Sequence, residues 1–302
     1  MTSIEWTGVT WNPTTGCDKV SPGCDRCYAL TMAGRLKAIG SPKYQADGSE
    51  RTSGPGFELT VHPDTLTAPL HWTAPRTVFV NSMSDLFHDR VPLEFIARVW
   101  AVMAATPRHT YQVLTKRHAR MRSVLSSERF RVAFYAAHRT YAGIELFPPL
   151  WPAPNVWVGV SAEDQKWADI RIPALMRTPA AVRFVSAEPL IGALSLHRGH
   201  AHCPTHDTRG GRCSGSCSDL RTPDWVIIGG ESGPGARPLD LEWVRDLRDQ
   251  ARRVSAAVFV KQLGSVWARG HGAGGKGGDP GTWPEDLRVR QMPPRGGRGR
   301  AV

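Results

Sequence analysis

Long hydrophobic runs are missing from this chain. No stretch approaches the ~20 apolar residues needed to cross a bilayer, so a transmembrane anchor is not expected. The opening Met1-Thr2-Ser3-Ile4-Glu5-Trp6 has neither a basic n-region nor an apolar h-region, so the expectation is no signal peptide and a cytoplasmic location. Cysteine is scarce, at six residues in 302. In a long cytosolic chain so few cysteines read as metal ligands or free thiols rather than disulfides. Acidic side chains are the minority charge, 27 against 38 Lys and Arg, for a net charge of +11. That excess favours an anionic partner, with nucleic acid first; an Arg-rich composition with no binding role has equal weight. A nucleotide phosphate cradle is also lacking. Gly229-Gly230-Glu231-Ser232-Gly233-Pro234-Gly235 is not a G-x-G-x-x-G fingerprint and has no Lys where a P-loop needs one.

Enough apolar residue is present to build a full core: 41% of a 302-residue chain. Short runs rich in β-branched and aromatic residues recur at 78–80, 111–114, 156–160, 182–185, 225–228 and 258–260. They are too short for helices and read as buried strands. Segments of helical period lie between them, at 93–105, 118 to about 138, 164–176 and 241–254, with a further helix at 28–39 stopped by Gly40-Ser41-Pro42. Alternation of this kind predicts βα units and a parallel sheet. With an early strand near residue 10, about seven strands are expected. Nearly every run ends in polar residues: Asn81, Ser82 and Asp85; Lys116 and Arg117; Ser161 and Glu163; Ser186 and Glu188; Gly229, Gly230, Glu231 and Ser232; Lys261 and Gln262. Polar residues at the C-terminal ends of consecutive parallel strands are how a β/α barrel builds its site. The expected fold is therefore α/β, a full or partial TIM-like (β/α) barrel over 1–267, with an insertion at 192–224. The Gly- and Arg-rich tail, 268–302, is expected to be disordered.

The first chemical feature is Gly16-Cys17-Asp18-Lys19-Val20-Ser21-Pro22-Gly23-Cys24-Asp25-Arg26-Cys27-Tyr28, with cysteines at C-x6-C-x2-C spacing. Pro22-Gly23 turns the chain between the first cysteine and the closing pair. Iron–sulfur clusters and zinc sites usually take four ligands, whereas this local set stops at three. Three thiolates leave one coordination position open for chemistry. A zinc knuckle, free thiols and a redox pair at Cys24 and Cys27 are the other readings.

Three clustered cysteines followed directly by an aromatic, Tyr28, resemble the cluster loop of radical S-adenosylmethionine (radical SAM) enzymes, although their usual first gap is three residues. The stretch Trp11-Asn12-Pro13-Thr14-Thr15-Gly16-Cys17, with Ser21-Pro22-Gly23-Cys24, resembles more closely still a largely uncharacterised, phage-associated three-cysteine-motif family; the resemblance runs from about Ile4 to Gly264. It implies a barrel of the radical SAM type and a [4Fe-4S] cluster on Cys17, Cys24 and Cys27. It also implies S-adenosylmethionine as cofactor, Tyr28 near its adenine, and an electron donor as partner. A Gly-Gly-Glu segment holds the cofactor's amino group in such enzymes, though there it follows the second strand and here the sixth.

Other residues are candidates on their own chemistry. Glycines at 229 and 230 let a ligand approach the backbone, and Glu231 can pair an ammonium. Glu163 and Glu188 form a near-repeat, Ser-Ala-Glu, at two strand ends and could bind the cofactor or serve as acid or base. Glu163 could equally sit in a first helical turn. Asp85 and His88 share a loop with Asn81 and Ser82, where Asp85 could be only an N-cap. Lys261 and Arg237 suit a carboxylate or phosphate near the site. Residues 108–139 carry eight cations against Glu128 alone, a phosphate-binding surface or a solvated face. The second cysteine set, Cys203, His206, Cys213 and Cys217, suits a structural zinc knuckle, an auxiliary cluster or no metal.

Two functions follow. One is a radical SAM-like enzyme in which Glu188, Glu231 and Lys261 assist catalysis, with Tyr28, Asn81, Ser82, Asp85, Glu163, Glu188, Gly229, Gly230, Glu231 and Ser232 about the cofactor. Its expected substrate is a nucleic acid, nucleotide or modified base. The other is a zinc-stabilised nucleic-acid-binding protein without catalysis. The strand-end carboxylates, which would repel phosphates, count against it.

Overall fold

Each apolar run is a strand. A computed structural model describes residues 4–142, 148–196 and 222–294. Its strands are β1 (Val9–Trp11), β2 (Thr14–Thr15), β3 (Thr60–Val61), β4 (Thr77–Val80), β5 (Thr110–Thr115), β6 (Val156–Ser161), β7 (Val182–Ala187), β8 (Trp225–Gly229) and β9 (Ala257–Gln262). Seven form one sheet in the order β1-β4-β5-β6-β7-β8-β9, and every neighbouring pair is parallel. Spatial order therefore equals chain order. The sheet is curled into a half-barrel flanked by helices.

Side-chain alternation shows the two faces. Val78, Val80, Val113, Val158, Val160, Val185, Val226, Ile228, Val258 and Val260 join a core that includes the helices α2 (Leu93–Ala104), α3 (His118–Ser126), α4 (Glu128–Ala142), α5 (Gln165–Met176) and α6 (Leu241–Arg253). The intervening residues Phe79, Trp157, Val182, Phe184, Trp225, Ile227 and Phe259 join Trp6 in a second cluster to which no helix contributes. One step further toward the strand ends, the same inward positions become polar, at Asn81, Ser161, Ser186 and Lys261. The concave face thus has an aromatic floor and a polar upper tier.

Local chemistry sets the helix bounds. Asp164 and Asp240 cap α5 and α6, accepting hydrogen bonds from the Trp167 and Glu242 amides. The helix expected from 118 to 138 is two helices. Ser127 is extended (ψ 144°), and its Oγ accepts from the Phe130 amide at 3.2 Å, starting α4 afresh. The helix α1 (Tyr28–Ala38) packs Ala29 and Ala33 against Tyr44, Phe57 and Met83, and the excursion between residues 41 and 77 folds around it. None of the described helices is long and apolar enough to cross a membrane.

Residues 268–294 do not follow the expectation of disorder. After α7 (Gly264–Gly270), the chain runs back beside the edge strand β9: the Val260 amide donates to the Val289 carbonyl and the Gln291 amide to that of Val258. Trp283 and Leu287 are buried in the main core. The edge is covered, which removes an open template for association. Gly and Arg dominate the composition, but two apolar anchors are enough to hold the segment. The second cysteine set, Cys203, His206, Cys213 and Cys217, lies outside the described residues.

Candidate functional site

The cleft lies at the C-terminal ends of the strands. Its cavity, about 240 Å³, is lined by all three cysteines of the loop and by Tyr28, Asn81, Ser82, Asp85, Glu188, Gly230, Glu231, Ser232 and Lys261. Residues spread over 245 positions of sequence are thus brought to one place, as the strand-end pattern predicts. Glu163 and Gly229 lie just behind this lining. Trp6, Arg26, Phe79 and Leu114, which no motif in the sequence marks, line it too. Trp6 and Phe79 carried only the signal of alternation, and Arg26 lay unmarked between two cysteines.

The cysteine loop is held from several sides. The Gly16 amide donates to the Met83 carbonyl at 3.0 Å, and the Lys19 amide to that of Thr52 at 2.7 Å. Ser53 Oγ donates to the Cys17 carbonyl at 2.8 Å. Asp18 pairs with the buried His88 through Oδ2 and Nε2 at 2.8 Å. Burial would raise the Asp18 carboxyl, but hydrogen bonds from Thr52 and His88 and the Arg90 charge outweigh it and hold it below the usual range. Asp85 is a joint: it accepts from the Phe87 and Lys116 amides and from Thr115 Oγ1, tying the end of β4 to the end of β5.

The three strand-end glutamates divide into two kinds. Glu163, after β6, is fully buried. Ser21 Oγ donates to its Oε1 at 2.6 Å, Lys116 Nζ lies 3.4 Å from the same oxygen, and Arg171 Nη1 donates to Oε2 at 2.9 Å. Burial works to raise its pKa, yet Lys116, Arg171 and Ser21 together hold it below the usual range. Gly23 lies so close that a Cβ there would stand 2.4 Å from Glu163 Oε1. Glu231, after β8, accepts from Arg237 Nε and from the Arg237 amide at 2.9 and 2.8 Å, with Arg26 Nη1 at 3.3 Å. Arg237 Nη2 also donates to the Pro22 carbonyl at 2.9 Å. Both carboxylates are saturated by this chain's own groups, and both support the loop from below. Arg237, expected to suit a carboxylate or phosphate near the site, is taken by Glu231 of this chain.

Glu188, after β7, is different. It faces the cleft, with Oε1 3.1 Å from Lys261 Nζ and Oε2 accepting from Ser186 Oγ at 3.1 Å. Gly229 gives it room, since a Cβ there would sit 2.4 Å from Oε1. Across the cleft, Tyr28 OH donates to the Ser82 carbonyl at 2.6 Å, fixing a half-exposed ring at the rim. Asn81 adopts the left-handed conformation (φ 62°) and its Nδ2 donates to Thr14 Oγ1 at 2.8 Å.

The thiols are free. Burial, with the Asp85 carboxylate nearby, pushes Cys17 up to about 12, although Arg117 Nη2 at 3.9 Å from Sγ opposes it. The three line one wall, but among the described residues no group of three or more His, Cys, Asp or Glu side chains converges closely enough to hold a metal ion. The basic segment is largely committed. Arg108 donates to carbonyls of Trp72 and Leu70, Arg117 to that of Asp18 and Arg120 to that of Val91, while Arg129 pairs Glu94. These four arginines have structural uses, while Arg122, Arg131 and Arg139 are exposed.

A parallel half-barrel with polar side chains from successive strand ends under a cysteine loop defines an α/β protein with a strand-end cleft. The chain belongs to the DUF5131 family, described as a protein of unknown function, whose family model matches residues 1–288. No curated protein and no solved structure matches it.

Proposed function

We propose that this chain is a radical SAM-like iron–sulfur enzyme on a TIM-like partial barrel, acting on a nucleic acid, nucleotide or modified base. One observation carries the reading: Cys17, Cys24 and Cys27 line the same cavity as Tyr28, Glu188, Glu231 and Lys261. The chemistry of the donor set fits a three-thiolate cluster, with a cleft beside it for cofactor and substrate. The thiols as they stand do not form a metal-holding group, so loading requires the loop to adjust. The chemistry such a cluster supplies is one-electron reductive cleavage of S-adenosylmethionine to methionine and a 5′-deoxyadenosyl radical.

The chain's own residues do the rest. Glu163 and Glu231 position the loop. Tyr28 offers a flat ring at the rim. Glu188 and Lys261 form the polar pair that faces a bound ligand and can hold or release a proton at Oε1 or Nζ. The aromatic floor excludes water from beneath.

The test is anaerobic iron–sulfur reconstitution, then dithionite and S-adenosylmethionine, with 5′-deoxyadenosine read by mass spectrometry. The expected result is 5′-deoxyadenosine from the intact chain and none from Cys24→Ala. Stoichiometric zinc at the first cysteine set, with no 5′-deoxyadenosine, would overturn the reading.

A further inference from the structure

The lower part of the cleft has its own chemistry. Ile4, Trp6, Phe79 and Leu114 give it an apolar, largely aromatic wall. Three polar atoms of lining residues are buried without a hydrogen-bond partner: Glu188 Oε1, which has the Lys261 ammonium 3.1 Å away, and two with no charge beside them, Trp6 Nε1, a donor, and Gln262 Oε1, an acceptor. Gln262 cannot simply turn away, because its Nε2 already donates to the Gly230 carbonyl at 2.9 Å. Each unmade hydrogen bond of this kind costs about 1–3 kcal/mol. An unpartnered donor and an unpartnered acceptor on residues that line one cleft are a reason to look for a ligand that satisfies both.

Charge narrows the class. The cleft's lining cations are Arg26, Lys116 and Lys261. Each has a carboxylate of this chain beside it: Glu231 at 3.3 Å, Glu163 at 3.4 Å and Glu188 at 3.1 Å. A phosphate would have to displace one of them and meet the carboxylate left behind. The ligand is therefore uncharged where it sits. It has an apolar face for Trp6 and Phe79, an acceptor for an indole N–H and a donor for an amide oxygen. A sugar would bring hydroxyls on every side and find too few polar partners. A nucleobase meets all the terms, and stacking on an aromatic side chain supplies about 1–3 kcal/mol.

We infer that the inner cleft receives an uncharged nucleobase, free as a nucleoside or presented by a single strand, with Trp6 Nε1 donating to it and Gln262 Oε1 accepting from it. This deepens the function proposed above by naming the substrate class. Its test needs neither iron nor cofactor turnover, so the two readings fail separately.

Isothermal titration of the full-length, iron-free chain would be run with the four common nucleosides, their 5′-monophosphates, and short single-stranded DNA and RNA. At least one nucleoside or strand is expected to bind. Trp6→Phe, which keeps a ring but removes the N–H, and Gln262→Leu should each weaken binding about tenfold, the value of one modest hydrogen bond. Thermal melts would confirm that both variants fold; should Trp6→Phe not, Gln262→Met, which also removes the acceptor, replaces it, with the same loss expected. Binding of strands alone assigns the presented base, and binding of nucleosides assigns the free one. The inference is overturned if nothing binds at millimolar concentration, or if the variants leave affinity unchanged. It is also overturned if monophosphates bind tighter than nucleosides, or if S-adenosylmethionine competes for the same place.

Discussion

Replacing Glu163 by glutamine removes one charge from a place where no water can compensate. Glu163 and Arg171 are both fully buried, and their contact is 2.9 Å. Arg171 Nε and Nη2 have no other hydrogen-bond partner, although its guanidinium stacks 4.1 Å from the Trp167 ring centre. Breaking such a pair from one side costs about 3–5 kcal/mol, because the remaining charge stays buried. Glutamine can still accept from Ser21 and Arg171, so the lower figure applies, about 3 kcal/mol. With a urea slope of about 2–3 kcal/mol/M, the midpoint should fall by roughly 1–1.5 M. The double variant Glu163→Gln/Arg171→Met removes both charges and should recover most of the loss. The pH dependence has a definite sign. The folded carboxyl is held below its ordinary value of 4.5, so its contribution is complete above that value and is lost as the pH falls through the lower folded one. A loss under about 1 kcal/mol, or a double variant no more stable than the single, would refute the assignment of Glu163 as the buried support of the cysteine loop.

Three further outcomes follow from the same geometry. In the iron-free protein at pH 8, Cys17, pushed up to about 12, should be alkylated far more slowly than Cys24 and Cys27; peptide mass mapping reads this directly, and equal rates would contradict the burial. Arg237→Gln takes charge-assisted bonds from Glu231 and Pro22 and should cost about 2 kcal/mol while speeding reaction of Cys24 with a thiol probe. Trp283→Ala, at a residue 2% exposed, should cost about 3–5 kcal/mol by chemical denaturation, whereas an unstructured tail would give no loss.

The sheet was legible because buried parallel strands are apolar on both faces, so runs such as Val156-Trp157-Val158-Gly159-Val160 stand out against their surroundings. Part of the cleft's lining was legible too, since in a parallel sheet the residue that ends each strand must lie at the common edge; Trp6, Arg26, Phe79 and Leu114 were not. Nor was the site's internal wiring. Ser21 and Glu163 are 142 positions apart, and nothing local in either stretch marks the contact. Glu163 reads as a ligand residue in sequence because burial and three partners are properties of the fold. The break at Ser127 did have a signal, a serine before an acidic residue, hidden inside a longer helical period. The tail misled because composition averages over thirty-five residues, and the average hides Trp283 and Leu287.

Support and recognition fall to different strands here. The loop leans on the carboxylates that follow β6 and β8, while the carboxylate that follows β7 pairs with Lys261 and Ser186. A chain built this way can exchange Glu188 and Lys261 for another pair without loosening the cysteines. The lining of the cleft can change while the cysteine loop stays in register. The same scaffold could present differently lined clefts, with the diversity written into two side chains and the stretch of floor beneath them.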